Sequence, residues 1–300
     1  MRRSDKKNDT KLLNYLFIIT FVKKKIMYSK FELKIEKTFF EEPDFNNFLR
    51  DGKERYSSQK KSIRKVIDSF VLDNGNLDGT KMQNNWFPGV KADIFLSHSH
   101  QDEELAIALS ECLYKEFGLN VFIDSCIWGY ADDLLKSIDN KYCKNPNGET
   151  YDYKKRNYST SHVHMMLSTA LTMMIDSTEA TMFLNTPNSV TVNDTINKTE
   201  SPWIYSEITM TQLIRQKEIK EYRMHPITEL YSEGGYLEKS FGVEYNLPTE
   251  HLTDISAEIL DRWMRLWKYK GEKYSTDSKK HVLDVLYELI KGKGNGYFEK

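Results

Sequence analysis

Polar side chains lie at the ends of two short apolar runs in the first half of the chain. The segment DIFLS ends at Ser97 and is followed by His98, and the segment LNVFID ends at Asp124. Trp128 and Gly129 follow shortly afterwards. In parallel α/β proteins, ligands bind at the carboxyl ends of the strands. If both segments are strands, these five residues are candidates for a ligand site.

The run HSHQD, which begins at His98, suggests a second kind of chemistry. It resembles the His-x-His-x-Asp start of metallo-β-lactamase-like hydrolases, whose side chains bind paired metal ions. However, Glu103 stands where that family has a further histidine, and the other histidines do not reproduce its downstream pattern. We therefore predict no metal site, and keep a metal-dependent hydrolase using His98, His100 and Asp102 as the less favoured alternative.

Each candidate in the cleft also has a structural interpretation. Ser97 and His98 could serve the turn and the N-cap of the next helix. Asp124 could hydrogen-bond the amides of its own loop. Trp128 could stack on a ligand ring or anchor a protein interface, and Gly129 allows backbone angles that bulkier residues resist.

Strand-like and helix-like periodicities alternate along the chain. We predict strands over Asp93–Ser97, Leu119–Asp124, Ala180–Asn185 and Gly242–Leu247, with Phe31–Phe40 as a further candidate. We predict helices over residues 102–118, Phe45–Phe70, Ala131–Tyr142, Val163–Ile175, Ser201–Glu221, Leu252–Trp267 and Ser278–Ile290. This order predicts an α/β fold with a flavodoxin-like parallel sheet of about five strands flanked by helices, and with helical N- and C-terminal extensions.

The segment between the second and third predicted strands has two contrasting halves. Lys144–Ser161 is polar and is predicted to be an exposed insertion. Val163–Ile175 is apolar nearly all round, which predicts a well-buried helix. Its methionines are then core-filling side chains: Met165, Met166, Met173 and Met174.

The composition fits one large domain, or one domain with extensions, in a chain of 300 residues. The hydrophobic content of 39% is sufficient for a sizeable core, and the net charge of −1 gives no indication of nucleic-acid binding. Cys112, Cys126 and Cys143 lack CxxC spacing. We therefore expect a reducing compartment, without a disulfide framework or a zinc site.

The first 30 residues carry nine Lys or Arg and two Asp around the apolar run Leu12–Val22. This run is too short to cross a bilayer as a helix, which needs about 20 residues. No small-residue cleavage site follows it. Met27 is an alternative start, so residues 1–26 are treated as a leader outside the functional protein, with an interfacial anchor as the alternative. The expected compartment is the cytoplasm.

Several features together resemble the Toll/interleukin-1 receptor (TIR) domain family. They are the strand ending in Phe-Leu-Ser at Ser97, the acidic helix start, the segment GLNVFID that ends at Asp124, and the loop containing Gly129. Further along, Ser201–Glu207, SPWIYSE, resembles the Ser-x-Trp-x-x-x-Glu segment that opens the third main helix of that family. The resemblance spans residues 91–270.

Three features depart from the family pattern. The insertion Lys144–Ser161 is one, and Ile204 stands after Trp203 where many members have a cysteine. The N-terminal 90 residues have no counterpart. The composition predicts a leader at 1–26, and the extent of the resemblance predicts a TIR-like domain at 91–270, preceded by an N-terminal arm at 27–90 and followed by a C-terminal helix at 271–300.

The resemblance also implies a function. Catalytic members cleave the nicotinamide–ribose bond of NAD⁺ and release nicotinamide with ADP-ribose or a cyclised product, while other members are non-catalytic interaction modules. The essential residue of the catalytic members is the Glu four positions after the Trp, which is Glu207 in this chain. The residues expected to shape the substrate site are Ser97, His98, Asp124, Trp128, Gly129, Tyr130 and Trp203.

A glutamate suits this reaction. Cleavage of an N-glycosidic bond builds positive charge on the ribose ring, which a nearby carboxylate stabilises electrostatically. Nicotinamide leaves as a neutral molecule, so a general acid is not needed. Neither GxxxxGK[ST] nor GxGxxG occurs in the chain, which agrees with NAD⁺ as a substrate rather than a cofactor.

The expected partners follow from the same resemblance. They are NAD⁺, further copies of the chain through TIR surfaces, and a downstream effector protein, in bacterial antiphage defence or stress signalling. No nucleic-acid or membrane partner is expected, and no cofactor.

Overall fold

A five-stranded sheet, parallel throughout, forms the centre of the molecule. The computed structural model describes residues 28–59, 67–87, 89–193, 196–223, 245–274 and 281–292. The strands are β1 (Ser29–Lys34), β2 (Ile94–Ser97), β3 (Val121–Ile123), β4 (Ala180–Leu184), β5 (Thr191–Asn193), β6 (Ile196–Thr199), β7 (Tyr245–Asn246) and β8 (Thr253–Ser256). The central sheet has the order β3-β2-β4-β1-β8, and β5-β6-β7 form a small antiparallel sheet. The predicted flavodoxin-like α/β fold is confirmed.

Helices cover both faces of the central sheet. They are α1 (Glu42–Gln59), α2 (Gly79–Trp86), α3 (Glu103–Phe117), α4 (Ser125–Ile138), α5 (Tyr153–Ser177), α6 (Pro202–Leu213), α7 (Ile219–Arg223), α8 (Ala257–Tyr274) and α9 (Val282–Gly292). In the sheet, β3 lies on one side of β2 and β4 lies on the other, so the connections from β2 to β3 and from β3 to β4 cross the sheet in opposite directions. Right-handed crossovers therefore put α3 on one face, with α1 packed against it, and α4 with α5 on the other.

The segment that the sequence assigns to an N-terminal arm contributes an internal strand. β1 pairs with β4 on one side and with β8 on the other, so that Phe31 lies opposite both Met182 and Thr253. Phe31 and Leu33 are buried in the core. Residues 91–270 alone would therefore leave a gap in the sheet between β4 and β8, and the described part of the segment 27–90 belongs to the same structural unit.

The C-terminal helices also belong to this unit. Trp263 of α8 is fully buried and stacks on Phe117 of α3, with 4.2 Å between the ring centroids. Its indole nitrogen donates a hydrogen bond of 3.2 Å to the carbonyl of Val282, at the start of α9. One side chain thereby joins three helices.

Three predicted elements in the last hundred residues differ from the structure. The predicted helix Ser201–Glu221 is divided into α6 and α7. Of the predicted strand Gly242–Leu247, Tyr245–Asn246 form β7 of the small sheet and residues 242–244 lie outside the described residues, while the fifth strand of the central sheet is β8. Ile255 of β8, predicted to be helical, is instead buried beside Leu33 of β1. Here strand pairing in the core outweighs the helical periodicity of the following residues.

The predicted loop around Gly129 is helical. Asp124 directly follows β3, and its carboxylate accepts a hydrogen bond of 2.9 Å from the amide of Ser125, the first residue of α4. The helix therefore begins at the strand end, rather than at Ala131, and includes the backbone of Trp128, Gly129 and Tyr130. A glycine inside a helix costs only about 1 kcal/mol relative to alanine, which this helix tolerates.

The helix α5 is longer and more exposed than predicted. It begins at Tyr153 with Asp152 as its N-cap, so the second half of the predicted insertion Lys144–Ser161 is helical. Its inward side buries Val163, Leu167, Leu171 and Ile175. Met174 is buried as predicted, whereas Met165 and Met173 are 65% and 60% exposed. The prediction of burial all round is wrong because only one side of α5 packs against the core.

No helix among the described residues is long and apolar enough to span a membrane. The predicted leader at residues 1–26 lies outside the described residues.

Close packing of α1 against α3 depends on Gly52. A Cβ atom at this position would lie 2.7 Å from Ile107 Cγ2 and 3.1 Å from the Ile107 carbonyl oxygen. We predict that Gly52→Ala lowers the free energy of unfolding by about 1–3 kcal/mol, because the overlap outweighs alanine's better helix propensity. Urea denaturation would measure this, with the exposed Asn47→Ala on the same helix as control. A stabilised Gly52→Ala variant would contradict the packing described here.

Candidate functional site

Ser97, His98 and Asp124 meet at the carboxyl edge of the sheet. Ser97 ends β2 and is followed by His98, and Asp124 follows β3. The parallel register pairs Leu96 with Ile123, so Ser97 and Asp124 occupy adjacent positions at the ends of neighbouring strands. All three side chains are completely buried. The two strand ends that the sequence singles out therefore come together in space.

Glu207 reaches the same edge from α6. This helix begins as predicted, with Pro202 in its first turn and Ser201 accepting a hydrogen bond of 3.3 Å from the amide of Ile204. Four residues at helical spacing face inward: Ile204, Glu207, Ile208 and Thr211. The two isoleucines pack into an apolar cluster with Phe183 of β4. This packing fixes the rotation of α6 that turns Glu207 toward the strand ends.

The four polar side chains form one continuous series of contacts. Ser97 Oγ donates a hydrogen bond of 2.6 Å to Glu207 Oε2, across 110 positions of sequence. The carboxyl groups of Glu207 and Asp124 are close enough to interact directly. Asp124 Oδ1 lies 2.6 Å from His98 Nδ1 and also accepts the amide hydrogen of Ser125. We refer to Asp124 and Glu207 as the carboxyl dyad.

The carboxyl dyad needs a proton to exist in the protein interior. Burial raises the pKa of Glu207 well above its ordinary value of 4.5, and the charge of Asp124 raises it further, against the lowering effect of the Ser97 hydrogen bond. Burial likewise raises the pKa of Asp124 well above 3.8. Two adjacent carboxylates do not both ionise readily. Burial and mutual repulsion therefore favour a dyad that holds one proton between its two carboxyl groups.

The hydrogen-bonding pattern agrees with a shared proton. Asp124 Oδ1 and Glu207 Oε2 already accept hydrogen bonds from other groups. Asp124 Oδ2 and Glu207 Oε1 are buried and accept none from other groups in the described part of the chain. A proton held between the two carboxyl groups gives these remaining oxygens a partner, because a protonated carboxyl is both donor and acceptor.

The histidines next to the dyad are neutral. Burial lowers the pKa of His98 to about 4, against the raising effect of the nearby Glu103 and Asp102. Burial, followed by the proximity of His98, lowers the pKa of His100 to about 4. At neutral pH His98 therefore places a neutral imidazole beside Asp124, and Nδ1 is the ring nitrogen that faces the carboxyl group.

Asp102 joins two loops. Its carboxylate accepts hydrogen bonds from Thr186 Oγ1 and, over 2.8 Å, from Asn188 Nδ2. These contacts link the loop after β2 to the loop after β4. Among the residues that the structure describes, no three His, Cys, Asp or Glu side chains are grouped so that they could hold a metal ion. The geometry thus gives no support to the alternative that uses His98, His100 and Asp102.

Thr186 and Asn188 were not predicted as members of this edge. The signal was present, because both follow the predicted strand Ala180–Asn185 and the carboxyl end of a parallel strand is where polar contacts collect. The direction of the Asp102 side chain could not be read from the run of residues around it.

Trp203 packs to one side of this cluster. Its ring meets that of His164 on α5 edge to face, with 5.6 Å between the centroids. Trp128, Gly129 and Tyr130 follow Asp124 within α4, but their side chains lie outside the described part of the chain. Substrate contacts by these four residues therefore stay predictions.

Two cavities lie outside the dyad. One, of about 410 Å³, opens at the carboxyl edge and has Asp102, Thr186 and Asn188 in its wall. The other, of about 450 Å³, lies between α1, α3 and α8. Neither is lined by a residue of the dyad. Glu207 is only 2% exposed, so any substrate that reaches it must first displace part of the surrounding edge.

Comparisons with known proteins add no relative. Neither a scan of protein-family models nor searches of curated proteins and of solved structures find a match to this chain.

The shared proton predicts how stability varies with pH. Folding raises the pKa of Glu207. The contribution of Glu207 to the free energy of unfolding is therefore fully present below pH 4.5 and is lost as the pH rises toward the pKa of the folded state. Each pH unit over which the native chain holds one extra proton costs about 1.4 kcal/mol. Glu207→Gln needs no such proton, since its amide can donate to Asp124 and accept from Ser97. We predict that this variant gains stability relative to the wild type as pH rises above 4.5.

Thermal unfolding of both proteins across pH would measure this difference. His98, whose lowered pKa reduces stability as pH falls from 6.5 toward 4, is present in both proteins and cancels in the comparison. A stability difference independent of pH would contradict the shared proton.

Proposed function

We propose that this protein cleaves the nicotinamide–ribose bond of NAD⁺ and that Glu207 is the catalytic carboxylate. The observation that carries the proposal is the hydrogen bond between Ser97 and Glu207. It joins the two segments that resemble the TIR family, the first strand end and the Ser-x-Trp-x-x-x-Glu helix. The same contact lies at the carboxyl edge of a parallel sheet, where α/β proteins bind ligands.

The chemistry requires little more than a positioned negative charge. The C1′–N bond of the nicotinamide ribose breaks, and its electron pair leaves with nicotinamide, which becomes neutral. The ribose is left as an oxocarbenium-like cation, to which water adds, and the water releases a proton to solvent. If a nucleophile of the ADP-ribose itself replaces water, the product is cyclic.

The carboxyl dyad supplies the charge for this step. A dyad with one proton carries one negative charge in a site from which water is excluded, where its attraction for a cation is stronger than in solution. Ser97 holds Glu207 Oε2, and His98 with the Ser125 amide holds Asp124 Oδ1. The charge is therefore fixed in position before the substrate cation develops.

Release of nicotinamide from NAD⁺ tests the proposal. We expect release by the wild type at high protein concentration or with its trigger, and a loss of at least about 100-fold in Glu207→Gln, the usual scale for removing a stabilising group from an active site. Glu200→Gln, an exposed glutamate just before the same helix, is the matched control and should keep its activity. Absence of release by the activated wild type would refute the enzyme, and release that persists in Glu207→Gln would refute the assignment of Glu207.

The same assay under chelation addresses the metal-dependent alternative. We expect no effect of a chelator on nicotinamide release. Inhibition by chelation would favour His98, His100 and Asp102 as metal ligands over the arrangement described here.

The pH dependence of kcat/KM reports on the dyad directly. We predict an acid limb with an apparent pKa above 4.5, because one carboxylate must be ionised and burial raises the pKa of Glu207. In Asp124→Asn only Glu207 of the pair still titrates, and the first ionisation of two adjacent carboxyl groups differs from that of one carboxyl group alone. The acid limb should therefore lie at a different pH in Asp124→Asn. A limb at the same pH in both proteins would contradict the coupling of the two carboxyls.

A second candidate is an interaction module of the TIR type without catalysis. The observation that favours it is the burial of the dyad, together with the absence of dyad residues from the walls of the two cavities. In that case the dyad is structural, and NAD⁺ neither binds nor is consumed. Isothermal titration with NAD⁺ separates the two candidates, because the proposed enzyme binds its substrate and the module does not.

A further inference from the structure

The outer side of α5 carries a row of exposed apolar side chains. Tyr158, Met165 and Met173 are 71%, 65% and 60% exposed. They are spaced seven and eight residues apart, so all three project from the same side of the helix. We call these three residues the α5 ridge.

The α5 ridge lies in a part of the helix without acidic or strongly basic residues. From Asn157 to Ile175 the sequence contains no Asp, Glu, Lys or Arg, although these make up 29% of the chain. Charge returns only at the two ends of the helix, with Lys154, Lys155 and Arg156 before the stretch and Asp176 after it. The exposed side of α5 therefore lacks these four residue types in its middle, where the neutral polar Ser161 and Thr169 and the imidazole of His162 lie between the ridge residues, and it is opposite in sign at its two ends.

This composition is that of an interface core rather than of a solvated helix face. The centres of protein interfaces are enriched in tyrosine and methionine and depleted of Lys, Glu and Asp. An exposed methionine and tyrosine row is also a costly surface to leave in water. A charged partner would have to bury its charges here without counterions, which is unfavourable. The partner surface must therefore also be uncharged.

We infer that the α5 ridge is the docking surface for a second copy of this chain, with the two α5 helices antiparallel. In a two-fold contact the same patch is used on both copies, so an uncharged face meets another uncharged face. A parallel pair would bring Lys154 and Lys155 against the same lysines. The antiparallel pair brings them to Asp176 of the second copy, whose side chain is 44% exposed and also forms a salt bridge with Lys217 of its own chain.

The spacing of the α5 ridge fits this arrangement. With the two-fold axis next to Met165, Tyr158 of one copy faces Met173 of the other, and Lys155 faces Asp176. Contact between a methionine sulfur and an aromatic ring is favourable. Tyr158 and Met173 are separated by about 22 Å along the helix, which lies within the extent of a standard interface of about 800 Å² per partner.

This inference does not depend on the cleavage of NAD⁺. It rests on the exposure and charge of α5, and none of the ridge residues belongs to the carboxyl dyad. An experiment that refutes the interface would leave the proposed cleavage of NAD⁺ unaffected. An experiment that refutes the cleavage would likewise leave the interface unaffected.

The molar mass of the full-length protein tests the interface. We expect the wild type to form dimers at micromolar concentration, measured by sedimentation velocity. Met165→Glu brings like charges together at the axis, and should raise the dissociation constant at least about tenfold, since such juxtapositions cost several kcal/mol. Leu213→Glu, at a site 68% exposed on α6, is the control and should dimerise like the wild type.

Three outcomes of this measurement would overturn the inference. They are a monomeric wild type, a dissociation constant that Met165→Glu leaves unchanged, and a dissociation constant that Leu213→Glu raises as much as Met165→Glu does. The unfolding temperature of Met165→Glu, which should match that of the wild type, shows that the exposed substitution leaves the fold intact.

Cysteine cross-linking tests the antiparallel register. Met165→Cys lies next to the proposed axis and should form a disulfide-linked dimer on oxidation, above the background of the wild type. Met173→Cys alone should not, because its two copies lie about 22 Å apart along the helix pair. A mixture of Tyr158→Cys and Met173→Cys should cross-link. Cross-linking by Met173→Cys alone, or none by Met165→Cys, would refute the register.

Discussion

The contact between the buried carboxyl groups of Asp124 and Glu207 is the constraint on which the site depends. Two acids in the interior are tolerated only if their oxygens have partners and their charge is limited to one. Each partner comes from a different element: Ser97 from β2, the Ser125 amide from α4, and Glu207 from α6. Displacement of any of these elements would leave a buried carboxyl oxygen unsatisfied. The dyad therefore couples the geometry of the strand ends to the rotation of α6.

Such an arrangement lowers stability at neutral pH, where ordinary aspartates and glutamates are ionised. A purely structural core would replace these acids with apolar residues of similar size at no loss. Local features that work against stability concentrate at functional sites. The buried dyad is therefore a reason, independent of the family resemblance, to look for function at this edge.

The sequence predicted some of the site and missed other parts for identifiable reasons. Ser97 and Asp124 could be placed because the ends of parallel strands share one edge. Glu207 was identified only through the resemblance, but the inward packing of Ile204 and Ile208 follows from their spacing. The carboxyl–carboxyl contact could not be predicted, because it depends on a register between distant segments. The contacts of Asp102 with Thr186 and Asn188 could not be predicted, since a metal-like spacing says nothing about where a side chain points.

The errors in the fold have a common cause. The apolar residues of α5 predicted a helix, but they did not predict how much of its surface neighbouring elements cover. Methionine occurs both in the core and on exposed binding surfaces. The segment Phe31–Phe40 gave a strand candidate, but its place between β4 and β8 depends on residues far along the chain. The loop expected before Ala131 is absent because capping by Asp124 starts α4 at the strand end. The local pattern predicts whether a segment is a helix or a strand better than it predicts which other elements that segment contacts.

The internal position of β1 has a consequence for how the chain folds during synthesis. β1 is made early, but β4 and β8 lie far downstream, with Lys34 and Asp254 in contact across 220 positions. Until those strands emerge from the ribosome, both hydrogen-bonding edges of β1 are open to other chains. The sheet can close only when most of the chain has been translated, and such long-range pairing slows folding. Incomplete chains should therefore depend on chaperones more than the finished protein does.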